Sequence, residues 1–154
     1  MNRNLILAGA GLLAMALPAG AAAAPGKSLS ATRAAIQAVL DDSAAGWNAA
    51  DIDRFMGCYE NAPTTSYISG SRLARGYPEI RALYIDRFNG GDKATMGALT
   101  LEILDLRPID ATHAYVIGRF HLRRDAAHGG DASGLTTLLF HRSAAGWRII
   151  ADHS

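Results

Sequence analysis

The sequence predicts one α+β domain: three N-terminal helices packed on a strongly curved antiparallel sheet, with a short hairpin between the second and third helices. Before residue 90, hydrophobic residues recur at the three- and four-residue spacing of helices. After it they fall on four strand-like runs. Consecutive strands joined by short turns pair as a meander, and the amphipathic helices must cover one face of that sheet. A sheet curved around helices forms a cone with an open mouth, where a small-molecule pocket is expected.

The start of the chain has the order of parts of a secretory signal. A positively charged beginning is followed by an apolar run at residues 5–17 and by alanines at 21–24. The run is shorter than the roughly 20 residues that span a bilayer, which disfavours a retained membrane anchor. We therefore expect residues 1–23 to be removed after Ala23, leaving a periplasmic or secreted protein without a membrane partner and one domain at residues 24–154.

Each helix is predicted from an apolar stripe and from a start or stop signal. Ser28 or Ser30 caps the first helix, and Asp51 caps a short second helix after a break. Pro78 is tolerated in the first turn of the third helix, which ends at the two glycines 90–91. The three stripes are Ile36, Val39, Leu40 and Trp47; Ile52, Phe55 and Met56; and Ile80, Leu83, Tyr84 and Phe88.

The strands are predicted from β-branched and aromatic runs bounded by turn residues. Residues 65–68 form a short strand that turns at 69–71 and returns through Leu73 and Ala74. Longer strands are expected at 96–106, 114–124, 134–142 and 147–152, with turns at 107–112, 125–133 and 143–146.

Charge and composition exclude several classes of function. The chain has 15 basic and 14 acidic residues, so no strong field would gather nucleic acid. The single cysteine, Cys58, allows neither an internal disulfide nor a thiolate zinc site, and among apolar neighbours it is expected to be a small buried residue. The histidines have no metal-ligand spacing, and no phosphate loop or dinucleotide fingerprint occurs. We expect neither a metal nor a cofactor.

Several short stretches occur in an order typical of one superfamily. They are residues 47–56 (WNAADIDRFM), 67–70 (YISG), 75–77 (RGY), 96–97 (MG), 114–119 (AYVIGR) and 146–154 (GWRIIADHS). In these stretches the chain resembles the nuclear-transport-factor-2-like superfamily, in its SnoaL-like branch. The resemblance implies a cystatin-like cone and a homodimer. It does not choose among the isomerases, cyclases, dehydratases, binding proteins and assembly domains of that superfamily.

The resemblance to the isomerases is incomplete. Those relatives use a carboxylate base on the floor of the pocket, and residues 63–66, where we sought a counterpart, read PTTS. The absence of a carboxylate there disfavours an isomerase.

The turns set a provisional register for the strands. A tight turn at 143–146 places Phe140 opposite Ile149 and, further along, Thr136 opposite His153; a symmetric loop at 125–133 places Thr136 opposite His121 as well. One face then carries Thr100, Glu102, Arg119, His121, Thr136 and His153 among Ile117, Leu138, Phe140, Trp147 and Ile149. The other carries Val116, Phe120, Leu122, Leu139, His141 and Ile150. We expect the first face to line the pocket and the second, convex face to be covered by a second copy. A one-residue slip would exchange the faces of a strand, so the choice of face stays open.

The candidate residues follow from this register. The expected ligand-binding residues are Trp47, Tyr59, Tyr67, Arg119, His121, Thr136 and His153. The candidate general acids or bases are His153, His121 and Glu102, and Arg119 would hold a carboxylate or enolate oxygen. Structural roles remain as alternatives: rim histidines, an ion pair between Arg119 and Glu102, and tryptophans that belong to the core.

Three functions fit these observations. The first is an exported domain that binds a small organic molecule in an apolar pocket with a few polar groups. The second is a cofactor-independent isomerase, cyclase or dehydratase that acts beside a carbonyl through a histidine or glutamate base. The third is a homodimeric assembly module.

Overall fold

The chain folds as helices packed on one face of a curved six-stranded sheet, as the sequence predicts. The computed structural model describes residues 25–88 and 90–154. The predicted signal, residues 1–23, and its cleavage point at Ala23 lie outside these ranges. No helix in the described ranges is long and apolar enough to span a bilayer.

Four helices and six strands follow one another within residues 25–88 and 90–154. The helices are α1 (Pro25–Asn48), α2 (Ile52–Met56), α3 (Tyr77–Arg87) and α4 (Lys93–Met96), and a 3₁₀ turn covers Ala126–His128. The strands are β1 (Ser66–Ser69), β2 (Arg72–Arg75), β3 (Ala98–Pro108), β4 (His113–Arg123), β5 (Ala132–Ser143) and β6 (Gly146–His153).

The second and third predicted helices begin for the predicted reasons, but α1 begins at Pro25, so Ser28 and Ser30 lie inside that helix and do not cap it. The Asp51 carboxylate accepts from the Arg54 backbone N–H at 2.9 Å and so caps α2. The proline lies in the first turn of α3. The turn α4 was not predicted: Asp92 caps it by accepting from the Thr95 N–H at 2.9 Å, so β3 starts two residues later than expected.

The sheet joins the predicted hairpin to the predicted meander. Its order is β2-β1-β6-β5-β4-β3, and all neighbours are antiparallel except β1 and β6. In that parallel pair Tyr67 lies beside Asp152. The hairpin therefore brings an aromatic residue next to the end of the last strand, at the edge of the helix-covered face.

Polar contacts fix the helical layer on the sheet. The Asn48 side chain accepts from the Leu99 N–H at 2.7 Å and donates to the Leu99 carbonyl at 3.0 Å, while the Trp47 indole N–H donates to the Met96 carbonyl at 3.1 Å. The predicted stripe residue Ile36 is fully buried, which contributes roughly 1.5–3 kcal/mol. The end of α1 is thus held at the start of β3.

Two irregularities decide which residues of β4 and β6 face the helices. The predicted pairing of Phe140 with Ile149 is confirmed, but Leu139 then pairs with Ala151, which leaves Ile150 as an extra residue in β6. Beyond this bulge the faces of β6 are exchanged, so Asp152 rather than His153 turns inward.

The second irregularity is the loop between β4 and β5. Thr136 pairs with Gly118, three residues away from the predicted partner, His121. The loop is asymmetric because Asp125 caps the 3₁₀ turn, accepting from the His128 N–H at 2.9 Å. An odd shift exchanges the two faces of β4 relative to β5.

The predicted assignment of faces is therefore wrong for β3, β4 and the end of β6, and right for β5 and for β6 up to the bulge. The helix-covered face carries Leu99, Leu101, Val116, Phe120, Leu122, Thr136, Leu138, Phe140, Ile149 and Asp152. By alternation, the convex face carries Thr100, Glu102, Ile117, Arg119, His121, Leu139, His141 and His153.

Candidate functional site

A cavity of about 170 Å³ lies between the helices and the concave face of the sheet. Its walls are mostly apolar, and most of its lining residues are buried. The lining residues that keep some exposure are Ser69, Arg87, Leu101, Phe120 and Ser154. These five side chains mark the opening of the cavity.

The polar centre of the cavity is the carboxyl group of Asp152. It is 7% exposed, and three hydroxyls donate to it: Tyr59 at 2.6 Å to Oδ2, and Ser154 at 2.7 Å and Thr136 at 3.1 Å to Oδ1. Tyr59 follows α2 and bridges β6 at Ile149, which fixes its ring beside the strand. Both carboxylate oxygens are therefore hydrogen-bonded, as a buried acid requires.

A second tyrosine extends this arrangement into a chain of hydroxyls. The Tyr84 hydroxyl lies 3.2 Å from that of Tyr59, and either can donate. A hydroxyl group can donate only one hydrogen bond. When Asp152 is ionised, Tyr59 donates its hydrogen bond to Asp152, and Tyr84 donates to Tyr59. A protonated Asp152 allows the reverse direction, with Tyr84 free to donate to a ligand. Depending on the protonation of Asp152, the chain can thus accept a hydrogen bond from a ligand or donate one to a ligand oxygen.

Burial sets the proton affinities of this chain. Desolvation raises the pKa of Asp152, although the hydroxyl donors Tyr59, Ser154 and Thr136 lower it in part. Burial, followed by the charge of Asp152, raises the pKa values of Tyr59 and Tyr84 well above the ordinary value. Both tyrosines remain protonated near neutral pH, so Asp152 is the group of the chain that titrates first.

Four predicted ligand-binding residues do line the cavity: Trp47, Tyr59, Tyr67 and Thr136. Trp47 packs edge-to-face on Phe55 and Phe88, with ring centroids 4.9 and 4.5 Å away, so it also belongs to the core. Thr136 and Tyr59 hold Asp152, and Tyr67 accepts from Arg87 at the opening. Their role in binding stays a prediction.

The expectation that Arg119, His121, His153 and Glu102 point into the hollow is wrong. They lie on the convex face, because of the odd loop shift in β4 and the Ile150 bulge in β6. Arg119 and Glu102 approach each other at 3.9 Å with side chains 43% and 57% exposed, which matches the alternative of a surface ion pair. His121 borders only a shallow depression at the end of β4.

Three site residues were missed from the sequence: Asp152, Tyr84 and Arg87. In the predicted register Asp152 alternates with His153 and so falls on the outer face with Ile150; the bulge in β6 reverses this. A signal was available, since Ile149 and Ile150 are consecutive apolar residues where a regular strand would alternate. Tyr84 was assigned only to the core, and Arg87 received no role.

Cys58 is buried, as expected, and lines the deep wall of the cavity. The Ser43 hydroxyl donates to its sulfur at 3.3 Å. Burial raises the pKa of the thiol to about 12, so it stays protonated and is a poor nucleophile. Within residues 25–88 and 90–154, no three His, Cys, Asp or Glu side chains are grouped to hold a metal ion.

Comparison with protein families identifies the scaffold on which this cavity is built. The family model described as a SnoaL-like domain matches residues 36–154, from the middle of α1 to the last residue. The chain belongs to the SnoaL-like domain family. The predicted resemblance is confirmed, and so is the cystatin-like α+β class.

Solved structures agree with this assignment. The SnoaL-like domain is similar to an NTF2-like protein of unknown function from Shewanella oneidensis MR-1, at 26% identity and a TM-score of 0.68, covering 84% of this chain and 98% of that one. A ketosteroid isomerase-like protein from Erwinia carotovora atroseptica is 21% identical, with a TM-score of 0.59 and coverage of 78% and 92%. A cystatin-like domain from Nostoc punctiforme is 19% identical, with a TM-score of 0.63 and coverage of 80% and 75%. No curated protein matches the chain.

Proposed function

We propose that this SnoaL-like domain binds a small, largely apolar molecule that carries a hydrogen-bonding oxygen. The observation that supports the proposal most is the chain Asp152–Tyr59–Tyr84, which borders an otherwise apolar cavity. A buried carboxyl group lowers stability unless its partners compensate, so a core selected only for packing has no need of one. An apolar wall with a few convergent polar groups is the usual makeup of a ligand site.

The size of the cavity limits the ligand. Its volume of about 170 Å³ compares with roughly 150 Å³ for an apolar cavity that holds benzene. A single ring or a short branched chain fits such a space, and a fused polycyclic molecule would require the opening to widen. The ligand oxygen would meet the hydroxyl of Tyr84, which lies at the end of the chain beside Tyr67.

The test compares phenol with benzene, which share a ring and differ by one hydroxyl. Titrations followed by ¹H–¹⁵N NMR should show phenol binding at least fivefold more tightly. Tyr84→Phe should remove most of that preference while benzene binding persists. Tyr115→Phe, on the convex side of β4, is the matched control and should change neither affinity. Equal affinities for the two probes, or no binding of either, would contradict the proposal.

A proton-transfer enzyme is the second candidate, and Asp152 favours it. The predicted bases His153, His121 and Glu102 face away from the cavity, whereas Asp152 lines it and is surrounded by hydroxyls. Burial raises its pKa, which makes the carboxylate a stronger base toward a proton on carbon beside a carbonyl. The abstracted proton would reside on Asp152, and the enolate oxygen would accept from a cavity hydroxyl.

Hydrogen exchange distinguishes catalysis from binding. Cyclopentanone in D₂O should exchange its α-hydrogens faster with the wild-type protein than with Asp152→Asn, as followed by ¹H NMR. An exchange rate equal to that of buffer would leave the domain as a binder only. The open mouth of the cavity favours both functions over a pure assembly module, for which a filled core is expected.

We also propose that the protein is exported and forms a homodimer through its convex face. The signal at residues 1–23 supports export. The convex face differs from the predicted one, because Val116, Phe120 and Leu122 face the core. It still carries an exposed apolar residue, Leu135, which is 60% exposed and supports a contact with a second copy. Mass spectrometry of protein from the periplasm or medium should give a chain starting at Ala24. Sedimentation should give a dimer that Leu135→Lys weakens, and a monomer at all concentrations would contradict this.

A further inference from the structure

The opening of the cavity holds a guanidinium group that the proposed binding does not use. Arg87 is the last residue of α3 and, among the described residues that line the cavity, the one basic side chain. It donates to two neutral oxygens, the Tyr67 hydroxyl at 3.4 Å and the Ser69 hydroxyl at 3.2 Å. Both contacts come from β1, so the hairpin orients the guanidinium at the rim.

Three arginines elsewhere in the domain have a different environment. Arg54, Arg81 and Arg107 each bind an aspartate at 2.7 Å. Within residues 25–88 and 90–154, no carboxylate side chain lies within 4.0 Å of Arg87. A guanidinium has five N–H donors in a planar fork, and two long bonds to hydroxyls leave most of them available.

The cavity carboxyl group does not neutralise this cation. The oxygens of Asp152 are already hydrogen-bonded to Tyr59, Ser154 and Thr136. Burial disfavours the charged form of Asp152, whereas the Arg87 guanidinium lies exposed at the rim. An anion at the rim would therefore be attracted by the Arg87 guanidinium more strongly than it is repelled by the carboxyl group of Asp152.

We propose that the ligand is a small carboxylic acid whose apolar body enters the cavity and whose carboxylate binds Arg87 at the opening. This inference rests on the proposed function and adds a second group to the ligand: the carboxylate at the opening is separate from the oxygen that would meet Tyr84 inside the cavity. The apolar rim residues Leu101 and Phe120 contact the body of the acid, and the Ser69 and Tyr67 hydroxyls stand beside its carboxylate. A carboxylate matches the fork of a guanidinium with two parallel hydrogen bonds.

The experiment compares benzoate with benzamide, two probes of nearly equal shape that differ in charge. Calorimetric titration of the purified protein at pH 7.5 and 50 mM NaCl should show benzoate binding at least tenfold more tightly. The advantage should shrink severalfold at 300 mM NaCl, because the opening is exposed to solvent. Arg87→Gln should abolish the advantage, and Arg87→Lys should retain part of it.

Arg107→Gln is the matched control, since Arg107 is an exposed arginine of β3 that does not line the cavity. It should leave both affinities unchanged. Thermal unfolding followed by circular dichroism checks that each variant is folded. If Arg87→Gln fails to fold, the wild-type ratio, its salt dependence and the lysine variant still decide the question.

The possible negative results have different meanings. If benzamide binds as tightly as benzoate, or if phenol binds and benzoate does not, the inference about charge is overturned and the proposed function stands. If phenol, benzamide and benzoate all fail to bind, the proposed function fails and the inference fails with it. A benzoate preference that persists in Arg87→Gln also overturns the role of Arg87.

Discussion

The Tyr59 hydroxyl donates a hydrogen bond of 2.6 Å to Asp152 inside a cavity whose other walls are mostly apolar. Tyr59 comes from the segment after α2, and Asp152 from the end of β6, 93 residues away in the chain. The bond joins the helical layer to the sheet, so it has a structural role as well as a place in the candidate site.

Removal of this hydroxyl should destabilise the fold measurably. Tyr59→Phe leaves one oxygen of a buried carboxyl group without its donor, and hydrogen bonds to charged groups contribute roughly 1.5–3 kcal/mol. We expect a loss of that size in urea unfolding. Tyr115→Phe is the control, because no hydrogen bond of the Tyr115 hydroxyl occurs in the described residues, and its effect should stay within about 0.5 kcal/mol. Equal losses in both variants would show that the Tyr59 bond adds nothing.

The pH dependence of stability should reveal the proton affinity of Asp152. Burial raises its pKa in the folded state above the ordinary 3.8, so between these two values the folded chain binds more protons than the unfolded one. Stability contributed by protonated Asp152 is present below pH 3.8 and is lost as the pH rises through the raised value. The free energy of unfolding of the wild type, minus that of Asp152→Asn, should therefore fall with rising pH.

Carboxyl groups whose pKa is lowered in the folded state contribute equally to the stability of the wild type and of Asp152→Asn, so their contributions cancel in this difference. The backbone N–H of Thr112, the largest influence, lowers the pKa of Asp110 to about 2. Its contribution is present above pH 3.8 and is lost as the pH falls, equally in both proteins. A difference curve that is flat, or that rises with pH, would mean that Asp152 is not held in a desolvated environment.

The crossing of α1 and α2 should not tolerate a methyl group at Gly46. A Cβ there would lie 2.5 Å from the Phe55 backbone nitrogen, and neither backbone segment can yield cheaply. Gly46→Ala should cost about 1–3 kcal/mol or more in urea unfolding. At Gly70, in the β1–β2 turn, a Cβ meets nothing within 4 Å and φ is +59°, so Gly70→Ala should cost only about 1 kcal/mol. A smaller loss at Gly46 than at Gly70 would contradict this packing.

Adjacent residues of β5 provide a test of which sheet face binds ligand. Thr136 donates to Asp152 in the cavity, and Thr137 pairs with His153 on the convex side. Thr136→Val should weaken phenol binding at least threefold, whereas Thr137→Val, His121→Ala and His153→Ala should leave it within twofold. NMR titration measures all four. A loss on His121→Ala or His153→Ala would restore the original prediction that these histidines serve the site.

The helices and the general plan of the sheet were predictable because they depend on periods and stop signals. The stripes of α1, α2 and α3 each give a clear helical spacing, and glycine pairs or capping aspartates bound them. Trp47, Tyr59 and Tyr67 could be assigned to the cavity because bulky side chains near helix ends and in the hairpin must enter the core.

The facing of the strands was harder to predict because it depends on whether loop lengths are odd or even. In β4 a signal was present: Arg119, His121 and Arg123 alternate with Phe120 and Leu122, which favours the arginines outside. In β6 the signal was weaker, because the residues on both sides of the bulge at Ile150 are apolar and do not show where the strand changes faces. The capped 3₁₀ turn in the β4–β5 loop shows no hydrophobic periodicity, so the length of that loop could not be predicted from the sequence.

The bulge at Ile150 also bears on how the chemistry of this scaffold could change during evolution. Deleting that one residue would give regular pairing in β6 and leave Asp152 opposite Leu138, whereas pairing Ile150 with Leu139 would close the bulge and turn the next residues over. His153 would then face the cavity instead of Asp152, and an imidazole would replace the acid without any substitution. Related domains could thus acquire a different proton donor through the loss of a bulge, while their helices stay untouched.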